Sequence, residues 1–146
     1  MLRPRLVFIG CLVAVASCQG NLTGPSLVDL QQAYAKWSAH HLSRYAYRFE
    51  TTGFFNALDG QTMRLVVLAD TVRSAQFVAT NDSVPILPSR LPTIDQLFAQ
   101  AFAAHESGIL TAAEFDPTFS YPTRLQIAGP PDASGAILSS DIELLP

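Results

Sequence analysis

Between Thr93 and His105 the apolar residues Ile94, Leu97, Phe98, Ala101 and Phe102 stand at i, i+3, i+4, i+7 and i+8. That spacing puts all five on one face of an α-helix. Thr93-Ile94-Asp95-Gln96 supplies the start: the threonine oxygen can accept an orphan backbone N–H, and the glutamine three residues on can return the bond. Gly108 marks the stop. Leu97, Phe98 and Phe102 are therefore expected almost wholly inside. An earlier stretch repeats the plan. Ser26-Leu27-Val28-Asp29 reads as a weaker cap, and Leu27, Leu30, Tyr34 and Trp37 follow at helical steps, with His41 next in line. This helix is expected to end near Leu42.

Elsewhere the period is two. Tyr45, Tyr47 and Phe49 alternate with Ala46, Arg48 and Glu50, the pattern of a half-buried strand. Asp59-Gly60 marks a turn, and Thr62 to Leu68 follows with Met63, Leu65 and Val67 on one face. A turn at Asp70-Thr71 leads to a third strand, Val72 to Thr80. Asn81 to Pro92 carries Pro85, Pro88 and Pro92 and is expected to be a surface loop. After the second helix come strands at Leu110–Phe115, Tyr121–Ile127 and Ala136–Leu144, with turns at Asp116-Pro117 and over 129–135. Pro122 has no N–H for a ladder, so its amide position should face away from a neighbour. The order is helix, three strands, helix, three strands. Each helix has one apolar stripe and each alternating strand one apolar face. The expected fold is α+β: two helix-plus-three-strand units form one antiparallel sheet with both helices on one face. A structural duplication is suggested by that order, although no residue-level repeat accompanies it.

The start of the chain follows another pattern. Arg3 and Arg5 precede an apolar run, Leu6 to Ala16, that ends in Val15-Ala16-Ser17-Cys18. Charge, apolar core and small residues are the plan of a secretory signal. A spanning helix needs roughly 20 apolar residues, more than this run holds. Small residues directly before a cysteine resemble a bacterial lipobox. The resemblance implies cleavage before Cys18 and lipid on Cys18, so that residues 1–17 are a signal peptide, 18–25 a lipidated tether and 26–146 a single α+β domain. The membrane is then a partner through that lipid. The implied address is the bacterial cell envelope. Gln19, where an aspartate would retain the protein by enteric-type sorting rules, points to the periplasmic face of the outer membrane.

Composition narrows the chemistry. Cleavage leaves about 130 residues, one domain's worth and enough for a core. The whole chain has net charge −3, and losing Arg3 and Arg5 makes the mature part more acidic. No basic cluster offers a site for nucleic acid. The chain has two cysteines, Cys11 and Cys18. The first lies in the signal and the second would be acylated, so no disulfide is expected and the core must hold by packing.

No catalytic constellation stands out. His40 and His41 are adjacent, about 100° apart on a helix, and His105 belongs to the other helix. All three suit helix C-termini, where the dipole favours a cation. Ser120 and Asp116 share a turn without a neighbouring histidine, and no Gly-x-Ser-x-Gly occurs. Asp116 reads as a former of an Asx-type turn. Glu114 and Asp116 lie two apart, on the solvent side of Phe115. Phosphate-cradling glycine loops are absent. Asn21-Leu22-Thr23 and Asn81-Asp82-Ser83 match a glycosylation pattern, which on the bacterial-lipoprotein reading is a chance match. No metal, cofactor or catalytic residue is expected.

Aromatics remain. Tyr34, Trp37, Tyr45, Tyr47, Phe49, Phe98 and Phe102 sit at core spacing. Phe54, Phe55 and Phe119 lie in or beside turns, with Tyr121 next to them. They are either caps folded over the sheet's ends or a patch that contacts an envelope protein partner.

Several pieces together carry a family resemblance: the lipobox, Trp37 followed by Tyr45-Ala46-Tyr47, the meander, Pro92-Thr93-Ile94-Asp95-Gln96-Leu97-Phe98, and Phe115-Asp116-Pro117 through Tyr121-Pro122-Thr123. Over about residues 34 to 127 the chain resembles a bacterial lipoprotein family catalogued as domain of unknown function family 6174. Three departures stand out. Gly53-Phe54-Phe55 replaces closely spaced cysteines, Asp70-Thr71 replaces Asp-Gly, and Ser120-Tyr121-Pro122 replaces Gly-Tyr-Pro. The last two put residues that resist positive φ where the family has glycine. The family has no assigned activity, so the resemblance implies fold and address. The reading is a lipid-anchored envelope module that binds or scaffolds without catalysis. The alternatives are an inhibitor or chaperone-like partner of an envelope enzyme, and an enzyme with an unrecognised site.

Overall fold

A computed structural model describes residues 24–53, 57–129 and 134–146. Helix α1 spans Leu27–Ser38, and strands β1 Arg44–Thr52, β2 Met63–Leu68 and β3 Thr71–Phe77 follow. Helix α2 spans Ile94–Glu106, and strands β4 Leu110–Phe115, β5 Pro122–Ala128 and β6 Ser134–Leu144 complete the chain. The six strands form one antiparallel sheet in the order β3-β2-β1-β6-β5-β4.

Both helices lie on one face. Tyr45 of β1 shows this directly: its ring packs on Trp37 of α1, and its hydroxyl accepts the N–H of Ile94 at the start of α2. The core fills the space between. Leu30 and Trp37 descend from α1, and Ile94, Leu97, Phe98 and Ala101 from α2. They meet Tyr45 and Tyr47 of β1, Leu65 of β2 and Leu125 of β5.

Both capping expectations hold. Ser26 and Asp29 exchange bonds at α1, and Thr93 and Gln96 do so at α2. The Ser26 hydroxyl bonded to Asp29 holds that carboxyl below the ordinary aspartate range.

Other details differ. α1 stops at Ser38, not near Leu42, and His41 adopts φ 51, outside a helix. Leu27 faces solvent, and Tyr34 is 38% exposed, lying edge-on across Phe98 and Phe102. Phe102 is half-buried against the core instead of inside it. The positive φ of the β2–β3 turn falls on Ala69 (49) and Asp70 (57), not on Thr71. Leu68 pairs with Thr71, so the loop has two residues, the length that favours a turn with both central φ values positive. Ser120 does adopt a positive φ of 61.

The duplication does not survive the topology. Each unit runs third, second, first strand in the same sense across the sheet. Yet β1 and β6, where the units meet, pair antiparallel, so equivalent strands point in opposite directions. With both helices on one face, no rotation lays one unit on the other. They are mirror arrangements of one element order, which accounts for the missing sequence repeat.

Candidate binding cleft

The sheet and helices leave a different opening at each end. At one end lie the C-terminal halves of β1 and β5, the starts of β4 and β6, and the last turns of α2. Here a cleft of about 710 Å³ opens beneath α2. Its walls are Phe49, Ile86, Leu91, Ile109, Ile127 and Ile137. Strand alternation aims Phe49, Ile127 and Ile137 at the helix face. The loop between β3 and α2 brings Ile86 and Leu91 across, and Tyr47 pins that loop by donating its hydroxyl proton to the Pro92 carbonyl. Ala103 and Ala104 of α2 face the cleft, and their small side chains leave it open. Among its described lining residues Arg90 carries the one formal charge. Arg90 is exposed and makes no salt bridge among the described residues.

At the opposite end a polar cleft of about 560 Å³ includes His41, Asp70, Thr93, Asp95 and Gln96 in its lining. Thr93 and Gln96 are already committed to the α2 cap. Beneath, burial pushes the Tyr45 and Tyr47 phenols well above their ordinary value. Both stay neutral and serve as hydrogen-bonding posts. Among the described residues no group of three or more His, Asp or Glu side chains could hold a metal ion.

The residues singled out from sequence scatter. Asp116 forms the expected turn, its carboxylate accepting the N–H groups of Thr118 and Phe119. Phe119 is half-buried and rests edge-on against the His40 ring at 5.1 Å. Tyr121 is 4% exposed and packs on Trp37. It is a core residue, so it cannot serve as a contact surface; burial also raises its phenol pKa. Phe54 and Phe55 lie outside the described residues, as does Cys18 with the signal. Glu114 is exposed on the edge strand β4.

Sequence reasoning missed the apolar cleft. The available signals were two: Ile86-Leu87 inside a proline-rich loop, and Ile109 directly after the α2 stop. Leu87 is 63% exposed and Ile109 40% exposed, each without a helix or strand pattern to explain it.

A six-stranded antiparallel sheet with two capped helices on one face defines an α+β domain with an open cleft at each end. The chain belongs to the family of unknown function DUF6174, whose sequence model matches residues 29–137. Neither a curated protein nor a solved structure matches it.

Proposed function

We propose that this protein is a lipid-anchored, non-catalytic binding module of the bacterial cell envelope that holds another envelope component. The observation that carries the reading is the apolar cleft, placed at the end of the sheet where the chain enters. A Cβ at Gly24 would lie 2.7 Å from the Leu110 carbonyl oxygen, so the chain enters the fold beside the first residue of β4. Ile109, the preceding residue, lines the cleft. From Cys18 to Gly24 the chain reaches at most ~20 Å. With lipid on Cys18, the cleft therefore rides close to the membrane surface. Among the described residues no helix is long and apolar enough to cross a membrane, so attachment falls to the lipid in this reading.

Radiolabelled palmitate tests the anchor. The wild-type chain should incorporate label, and Cys18→Ala should accumulate as unlabelled precursor. A processed protein with a free Cys18 thiol would overturn the anchor. Cross-linking in intact envelopes followed by mass spectrometry tests the module, and a wild-type protein that captures no envelope component overturns it.

A further inference from the structure

We propose that the apolar cleft binds a single-chain anionic amphiphile of the fatty-acid class, with its alkyl chain along the isoleucine walls and its carboxylate at Arg90. The inference deepens the binding-module reading and rests on it. Three observations support this class. The volume, about 710 Å³, lies within the range of small-molecule sites. Ile86, Ile109, Ile127 and Ile137 offer a branched aliphatic lining and Phe49 an aromatic wall, with Thr51 and Ser107 the hydroxyl-bearing members. Among the described lining residues the one charge is positive, that of Arg90, which is exposed at the cleft and has no acidic partner among the described residues. A carboxylate meets a guanidinium in a bidentate, charge-assisted pair. Gln100, exposed on α2, also lines the cleft and offers an amide donor there.

A neutral apolar ligand would leave Arg90 unused. A second protein chain would find a concave site with, among the described residues, one charged residue to set its orientation. The fatty acid commits both features.

The test titrates saturated alkanoates, from hexanoate to laurate and below micelle-forming concentrations, into the full-length protein held in neutral-lipid nanodiscs. Empty nanodiscs give the reference for partitioning, and calorimetry gives the affinity. Binding should be saturable, and each added methylene should tighten it about fourfold. Decanoate should bind roughly fivefold tighter than decanol. Arg90→Gln should erase that preference while retaining decanol. Ala103→Trp, at an exposed helix position lining the cleft, should abolish saturable binding of both with an unchanged melting temperature.

Absence of saturable binding to the wild type overturns the proposal, as does undiminished binding to Ala103→Trp. Equal affinity for decanoate and decanol in the wild type removes the role of Arg90 and with it the anionic class. Binding seen only with Cys18→Ala would assign the cleft to the protein's own lipid and also overturn the proposal. If alkanoates fail while cross-linking still captures an envelope component, the ligand class falls and the module stands. If palmitate never labels Cys18 yet decanoate binds as described, the anchor falls and the ligand site stands.

Discussion

The two ends of the sheet are built from the same elements and carry opposite chemistry. At the polar end, Thr93 and Gln96 close the α2 cap, and Tyr45 holds the Ile94 N–H. Those groups already hold partners within the fold. At the apolar end most of the side chains facing the cleft are apolar, and Arg90 is free of any salt bridge among the described residues. The contrast teaches how to weigh a cleft. Polar residues around an opening are not a site when the fold uses them as caps and posts. An opening lined by apolar groups and left uncovered by the described residues is the better candidate.

The shared core between the ends gives the largest test. Phe98 stacks on Phe115, touches Tyr34 and is 1% exposed. Phe98→Ala should cost about 3–5 kcal/mol in urea unfolding. It should loosen both ends together, because α2 roofs both. A loss confined to one end, read by amide exchange, would show that the ends are separate folding units.

Tyr47 comes next, since its bond to Pro92 holds the loop that brings Leu91 to the cleft. Tyr47→Phe leaves that carbonyl without its partner and should cost about 1–3 kcal/mol. The same phenol sets an alkaline limit. Its folded-state pKa is raised above the ordinary 10.0, so its neutral form stabilises the fold fully below pH 10.0. That stability is lost as pH rises above 10.0, because the unfolded chain ionises first. The Tyr45 phenol, also raised by burial, acts in the same direction. Ultraviolet absorbance should show these two phenols ionising together with unfolding. Gradual ionisation in a folded protein would contradict their burial.

Thr93→Ala removes the side-chain oxygen that accepts the Gln96 N–H and should cost about 1 kcal/mol. Decanoate binding at the other end should be unchanged, which would sharpen the separation between the two clefts. The smallest effect is expected at the β2–β3 turn. Ala69→Gly relieves a non-glycine residue at φ 49 and should stabilise by about 0.5 kcal/mol net of the added chain entropy. A destabilised variant would mean that the Ala69 methyl makes a contact worth more than the strain.

Most of the frame was legible because it is written locally. Ser26–Asp29 and Thr93–Gln96 announce their helices within four residues, and Tyr45, Tyr47 and Phe49 alternate without a break. The end of α1 was hidden, since Ser38-Ala39-His40-His41 has no glycine or proline to stop the helix. Ala46 shows a second kind of blindness. It lies on the open face yet is buried. Its neighbours across the strands are Val66 and Glu143, and the Arg64–Glu143 ion pair reaches from β2 to β6 over β1. A methyl side chain fits beneath that pair, and only the strand order reveals it. The cleft was illegible for the same reason. Its walls come from β1, β5, β6, α2 and the loop before α2, which no window of sequence joins.

The strand order also governs how the sheet can be completed. β1 forms early in the chain, while its central partner β6 is the last strand to be delivered. Until β6 arrives, the β3-β2-β1 meander must stand with the β1 backbone unpaired along one side, an edge open to pairing with other chains. A chain emerging from its N-terminus first meets this hazard for the whole time that α2, β4 and β5 are still arriving. Closing the sheet joins segments far apart in sequence, and such closures are slow. The seam between β1 and β6 is therefore the point at which a holding chaperone would have most to protect.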